Sequence, residues 1–312
     1  MSSEKKAVYI VAGPTAGGKS ALALALAERQ DGIVINADSV QIYDGLPCLT
    51  AQPSEEEKSH APHRLYGLLP PAESCTAARW AALALAEIRA ALDAGKTPIL
   101  AGGTGFYIEA LADGLSPVPD VPGDIRAKTR DIFAQKGLQD FAAALAARDP
   151  DIAGRIDMNN PQRLMRAFEV LEATGKSLAA WQDLPREGGL KARADLDVVT
   201  ILLLPPRDVL YARCNARFEK MLEAGALEEV RDLAAAIESG DVPEDAPLTR
   251  ALGFDELRLF LDGKLSREEA VSQAQQKTRN YAKRQMTWFK NRMPDAVTVD
   301  NASEDTIARL LP

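Results

Sequence analysis

A chain of 312 residues, 46% apolar and 26% charged, has the composition of a soluble globular protein with length for one large or two modest domains. No apolar stretch approaches the roughly 20 residues that a membrane helix needs, which argues against a membrane partner. The formal net charge of −8 excludes a surface coated in positive charge for indiscriminate nucleic-acid binding.

The N-terminal residues Met1 to Lys6 lead straight into an apolar strand, Val8 to Ala12, leaving no room for a cleaved signal peptide. Behind that strand stands Gly13-Pro14-Thr15-Ala16-Gly17-Gly18-Lys19-Ser20, followed by the Ala/Leu-rich helical run Ala21 to Arg29. Gly-x-x-x-x-Gly-Lys-Ser between strand and helix is a phosphate cradle, a P-loop. Its glycines let backbone N–H groups turn inward, the helix N-terminus adds partial positive charge, Lys19 adds a full one, and Ser20 offers a hydroxyl to Mg²⁺. The motif specifies a diphosphate or triphosphate and leaves the reaction open.

A second short strand, Ile33 to Asn36, ends at Asp38-Ser39-Val40-Gln41. An acid at a strand end beside a phosphate site can hold Mg²⁺ indirectly, accept a proton from a nucleophile, or simply cap a turn. His60 and His63 have no further ligand candidates nearby, so a solvated loop is expected there and not a zinc site. A long helix over Ala77 to Ala94 stops at Gly95, and the buried strand Pro98 to Ala101 runs into Gly102-Gly103-Thr104-Gly105, a loop that lets backbone approach a ligand with a hydroxyl on offer. Buried strands alternating with helices predict a parallel sheet covered on both faces, with ligands at the strand C-termini.

From Val118 to Arg193, after the prolines 117, 119 and 122, the pattern turns helical throughout. It is expected as an all-helical insertion, 118–193, in a core made of 1–117 and 194–312. Within it, Pro161 opens a helix that carries Gln162, Arg163 and Arg166, an amide and two guanidiniums suited to bases and phosphates or to a solvated face. The strong strand Val198 to Leu204 ends in Pro205-Pro206, so no ordinary metal-binding acid follows it, and no Asn-Lys-x-Asp motif for guanine is present. From Ala270 to Met293 the chain carries six basic residues and no acidic one, either an anion-binding stripe or a solvated helix face. Within it Trp288 and Phe289 are expected to anchor the helix to the core. A short strand, Ala296 to Val299, precedes a last helix. Cys48, Cys75 and Cys214 are odd in number and lack Cys-x-x-Cys spacing, which points to a reducing cytoplasm.

Five stretches taken in order resemble the tRNA dimethylallyltransferases, also called tRNA isopentenyltransferases, of the IPP transferase family: 13–20, Asp38 to Leu46, Gly102 to Tyr107, Pro161 to Val170 and Tyr281 to Phe289. The resemblance spans nearly the whole chain. It implies an α/β, P-loop NTPase-like parallel sheet flanked by helices, with a small all-helical insertion contacting tRNA. It implies a cytoplasmic monomer that uses Mg²⁺ and transfers a dimethylallyl group from dimethylallyl diphosphate, held where other P-loop proteins hold ATP. The acceptor would be N6 of the adenosine just 3′ of the anticodon in tRNAs reading U-initial codons. By the same resemblance, Gly13 to Ser20 would bind the diphosphate, with Lys19 stabilising its charge and Ser20 holding the metal. Asp38 would be the acid–base residue, Thr104 would sit at the reacting centre, and Arg126 would contact tRNA or neutralise the diphosphate. The tRNA anticodon stem-loop would be met by Asp38, Ser39, Val40, Gln41, Thr104, Arg126, Gln162, Arg163, Leu164, Met165, Arg166, Arg250 and Gly253. The chain departs from the family pattern at Asp44, where a basic residue is common, and at Cys48 to Pro53, which lacks the usual Gly and Lys. Pro62 to Leu65 matches the usual His-His-Leu only in part. Two other readings stay open on the residues alone: an ATP-dependent nucleoside or nucleotide kinase whose lid is the insertion, and an RNA-binding P-loop protein without prenyl chemistry.

Overall fold

The computed structural model describes residues 5–311. Six strands make one parallel sheet: β1 Lys6–Ala12, β2 Gly32–Asn36, β3 His63–Arg64, β4 Thr97–Gly102, β5 Leu196–Leu203 and β6 Val297–Val299. Their spatial order is β3-β2-β4-β1-β5-β6. The principal helices are α1 Lys19–Arg29, α2 Ala77–Asp93, α3 Gly105–Ala112, α4 Gly123–Arg148, α5 Pro161–Thr174, α6 Arg207–Glu223 and α7 Arg267–Arg292.

The period-two alternation of a strand sorts the side chains of β1 onto two cores. Val8, Ile10 and Ala12 pack with Leu100, Leu202 and Trp80, Ala84 and Ile88 of α2. Tyr9 and Val11 pack with Ile99, Ile201 and Leu22 and Leu26 of α1. Both faces are therefore covered, as an all-parallel sheet requires. The helix ends follow local chemistry: the Thr76 hydroxyl accepts from Arg79 N at 3.2 Å to cap α2, and Ser266 with Glu269 forms a capping box at α7. Strand β3 was not legible in the sequence, because two residues carry no alternation to detect; it pairs with Val34 and Ile35 at the sheet edge.

The chain leaves β1 toward β2 on one side and leaves β4 toward β5 on the other. Neighbouring strands whose connections diverge in this way open a crevice at their C-terminal ends. The phosphate loop, the loop after β2 and the loop after β4 all lie at that edge.

Residues up to Ala112 together with those from Leu190 form one compact unit; Asp113–Gly189 form another. The second unit is helical, built on α4 and α5 around its own core of Phe141, Leu145, Ile152, Leu164 and Phe168. Gly137, with φ +72°, interrupts α4. The two ends of the unit are tied by an antiparallel bridge in which Leu115 N donates to Glu187 O at 3.1 Å and Glu187 N to Leu115 O at 2.9 Å. Residues 190–193, expected in the insertion, lie instead in the sheet unit, where Leu190 is fully buried in the larger core. One apolar residue gives no periodicity from which to draw that edge.

Candidate functional site

Each arm of the site is held by backbone geometry at a strand end. Gly18 sits in the left-handed region, φ +101°, and turns the chain from β1 into α1. The cradle from Ala16 to Ala21 lines a cavity of about 250 Å³ with Arg213 and Arg217 of α6. Ser20 stands exposed in the first turn of α1, while Lys19 is half-buried and its Nζ donates to Pro14 O at 2.7 Å. Burial pushes the Lys19 ammonium down to about 8; the Asp38 carboxylate partly offsets this and the Arg217 guanidinium adds to it. Arg217 is held below the ordinary guanidinium range by its own burial, against the pull of Asp38. Its Nη1 lies 3.4 Å from Thr15 Oγ1, and Arg213 Nη1 donates to Gly17 O at 3.3 Å. Three cations thus face one cavity with a carboxylate within electrostatic reach, a charge balance that an incoming anion would complete.

Asp38 is fixed by a chain of short-range bonds. Asn36, fully buried at the end of β2, accepts from Asp38 N at 2.8 Å and donates through Nδ2 to Asp38 O and Leu65 O, both at 3.0 Å. Asp38 Oδ1 then accepts from Val40 N at 3.0 Å. This is the turn cap considered from the sequence, and it orients the carboxylate rather than using it up, since an ionised carboxylate has four lone-pair sites. Thr104 N donates to Ala37 O at 3.2 Å, and Thr104 Oγ1 accepts from Ser39 N at 2.9 Å and donates to Ser39 Oγ at 3.1 Å. The two loops therefore approach so closely that a Cβ on Gly102 would run into the Ala37 backbone. Tyr66, Tyr107 and Tyr281 feel the Asp38 charge: burial is what chiefly raises each phenol, and Asp38 adds to it, for Tyr107 after Cys75 and Tyr43.

Three residues at the site had no assigned role in the sequence. Gln285 of α7 is 6% exposed; its Oε1 accepts from Thr15 N at 2.8 Å and its Nε2 donates to Gly103 O at 2.8 Å. It clips the phosphate loop to the loop after β4. It also takes up the Thr15 amide, so that amide does not face the cavity as the motif alone suggests. Arg213 and Arg217 were missed as well, because two arginines on a helix some two hundred residues from the motif carry no local signal.

The other expected contacts divide by burial. Gln41 donates its amide nitrogen to Thr50 O and Ala51 O, at 2.9 and 2.7 Å, which shapes the loop. Val40 packs partly against the larger core. In the helical unit Gln162 and Arg163 are exposed, but Leu164 is fully buried with Phe141 and Phe168, and Met165 packs on the same core. Within the stretch Gln162 to Arg166 the helical repeat turns the Leu164 side chain into this core and leaves Gln162 and Arg163 on the outside. Arg126 Nε is buried with no hydrogen-bond partner among the described residues. Around it, burial lowers Arg166 and raises Glu169, with Arg166 and Arg126 pulling Glu169 back. Arg250 is exposed, whereas Gly253 is buried with φ +95° against the Phe218 ring. The departing loop is tied down by its own residues: Gln52 Nε2 donates to Tyr43 O at 2.7 Å, and Cys48 N and Leu49 N donate to the Glu229 carboxylate at 2.7 and 3.0 Å.

Sheet order and phosphate loop together define a P-loop α/β protein, with a carboxylate, Asp38, just after its second strand. The family model for IPP transferase matches residues 41–292, and the chain belongs to that family. A tRNA dimethylallyltransferase of Paramagnetospirillum magneticum is 48% identical over 311 residues, covering 99% of this chain and 96% of the relative. Another, from Rhodospirillum centenum, is 51% identical over 293 residues, 94% of this chain and 91% of its own. Among solved structures, the full-length tRNA isopentenylpyrophosphate transferase of Bacillus halodurans is similar with a TM-score of 0.68 and 32% identity, over 98% of this chain and 94% of that one. A eukaryotic dimethylallyltransferase acting on tRNA gives a TM-score of 0.80 at 27% identity, over 96% of this chain and 75% of that one.

Proposed function

We propose that this chain transfers a dimethylallyl group from dimethylallyl diphosphate to N6 of the adenosine just 3′ of the anticodon in tRNAs reading U-initial codons, releasing diphosphate. The observation that carries the reading is the charge arrangement of one crevice, where Lys19 and Arg217 are both electrostatically coupled to Asp38. In the reaction the allylic C–O bond breaks and its electron pair leaves on diphosphate, where Lys19, Arg213, Arg217 and the cradle amides stabilise it. The N6 lone pair forms the new C–N bond, and the proton that nitrogen sheds passes to the Asp38 carboxylate. Thr104 steadies the loop that holds Asp38 from the other side. The adenine must leave the anticodon-loop stack to reach this crevice.

The donor set suits Mg²⁺. Among the described residues no group of three or more His, Cys, Asp or Glu side chains could hold a metal by itself, and the exposed Ser20 hydroxyl is the side-chain oxygen among the residues lining the cavity. Mg²⁺ commonly takes most of its ligands from phosphate and water. Bound there with the donor, it would neutralise charge on the leaving diphosphate. Arg126, Gln162, Arg163 and Arg166 are assigned to tRNA, the working unit to a single chain, and the location to the cytoplasm, where the acceptor is found. No described helix is long and apolar enough to cross a membrane.

Incubation with labelled dimethylallyl diphosphate, Mg²⁺ and unmodified tRNA tests the reading. Label in tRNA is the expected result. Phosphate release from ATP without label transfer would point to a kinase, a reading the family comparison disfavours, and tRNA binding with neither reaction would leave an RNA-binding protein.

A further inference from the structure

The chain that follows Asp38 to Gln41 is held from outside as well as from within. Ile42, Tyr43 and Leu46 are buried in the larger core, and one helical turn, Pro47–Thr50, then ends at Ala51. Ala51 stands in the left-handed region, φ +53°, which a residue with a Cβ rarely enters unless its surroundings impose it. Ala51 N donates to Cys48 O at 3.0 Å and Gln52 N to Pro47 O at 2.9 Å, which closes the turn on itself.

Its two ends are fixed by different side chains. The first N–H groups of a helical turn have no partner inside it. Here they meet the half-buried Glu229, in the first turn of the helix Ala226–Glu238 of the same unit and 180 residues on from Leu49. Its two oxygens take one amide each, Oε1 from Cys48 N at 2.7 Å and Oε2 from Leu49 N at 3.0 Å, an ionised acceptor for both. At the far end, Thr50 O and Ala51 O accept from Gln41 Nε2 at 2.9 and 2.7 Å. A side-chain amide carries two N–H donors, and this pair of carbonyls engages both. Gln41 Oε1 accepts from no described residue, so the half-buried Gln41 has only an acceptor left to offer.

We propose that Glu229 is a positioning residue for the acceptor strand: by fixing the turn 47–51 it holds the two carbonyls that engage the Gln41 nitrogen, and so keeps Gln41 Oε1 turned toward an N–H or O–H of the substrate. The proposal rests on the RNA-acceptor reading above, and it needs no contact between Glu229 and either substrate. Glu229→Ala should weaken binding of unmodified tRNA about tenfold, roughly the worth of one well-made hydrogen bond. Glu229→Gln, which keeps one oxygen, should weaken it about threefold. The sign is informative, because on charge alone the loss of an acid near a polyanion would tighten binding. The slope of log affinity against log salt should stay as it is, since no phosphate contact is removed. In a Gln41→Ala background, Glu229→Ala should change tRNA affinity by less than about twofold, because nothing is left to position. Dimethylallyl diphosphate affinity should be unchanged in Glu229→Ala.

Fluorescence titrations of unmodified tRNA against the full chain, the single variants and the double variant make the measurement. Unchanged tRNA affinity in Glu229→Ala would overturn the proposal. So would losses that multiply in the double variant, which would make Glu229 a packing residue only. Glu229→Gln keeps the side-chain shape and carries the same comparison if Glu229→Ala misfolds. NMR of the Gln41 side-chain amide, identified by its absence in Gln41→Ala, needs no RNA. Its two protons should exchange slowly with solvent in the parent and fast in Glu229→Ala, and equal exchange in both would also overturn the proposal. A parent that bound no tRNA would sink the RNA-acceptor reading, while the exchange rates still decided whether Glu229 orients Gln41.

Discussion

Asp38 and Lys19 have opposite tasks at the residue scale, and each gives a separate measurement. Asp38 is held through Asn36 and Val40, so removing its carboxylate leaves the loop's backbone bonds from Asn36 in place. Asp38→Asn, close in shape, is expected to lower kcat by about 10²- to 10⁴-fold, the usual worth of a positioned general base. Its tRNA and dimethylallyl diphosphate affinities should stay within a few-fold of the parent; equal loss of binding and turnover would make Asp38 a binding or folding residue. Lys19 titrates at about 8 when no anion is bound. An anion in the cradle favours the ammonium and raises that value, so binding must take up a proton between pH 8 and 9. Diphosphate affinity is therefore expected to fall as pH rises through 8, by up to about tenfold per unit. Calorimetry at pH 8.5 in two buffers of different ionisation enthalpy reads the uptake directly, and Lys19→Arg, which stays charged, should abolish it.

Gln285 shows at the element scale how α7 takes part in a site built from strand ends. Its two bonds span sequence separations of 270 and 182 residues, the first part-buried and the second buried. Gln285→Leu would strand Thr15 N and Gly103 O, each at a cost of about 1–3 kcal/mol. A loss of about 2–5 kcal/mol in urea unfolding is expected, with kcat/KM falling more than kcat because both loops lose their register. The Tyr-Ala-Lys-Arg-Gln run was visible in the chain, but nothing local distinguishes a clip from a solvated glutamine. The same holds for Arg213 and Arg217, whose partners lie in another third of the sequence. By contrast, the phosphate loop, Asp38 and the Gly102 to Gly105 turn were legible because strand, turn residues and helix are consecutive there. Parallel strands β1, β2, β4 and β5 were readable from continuous apolar runs. The two-residue β3 was not, since its existence depends on pairing with β2 and not on its own pattern. The inward turn of Leu164 was not legible for a related reason: a motif names a stretch, while the helical repeat decides which of its side chains face inward.

The whole molecule divides where the antiparallel bridge between Leu115 and Glu187 brings the two ends of the helical unit side by side. The helical unit has a core of its own, and the sheet cores draw their buried residues from the other unit. A chain in which residues 116–186 are replaced by a short Gly-Asn turn should therefore keep the sheet unit folded, because a two-residue turn can close an antiparallel pair. Every cradle group, from Gly13 to Ser20 with Arg213 and Arg217, is retained in it. Such a protein is expected to bind diphosphate within about threefold of the parent, since shortening a closed loop changes the entropy of the sheet unit by little. It should unfold in a single transition, and it should lose prenyl transfer to tRNA along with Arg126, Gln162, Arg163 and Arg166. Diphosphate calorimetry and the label-transfer assay on the same preparation check both halves. Full transfer by the shortened chain would remove the helical unit from tRNA recognition. Loss of diphosphate binding would mean instead that the cradle depends on the helical unit for its shape.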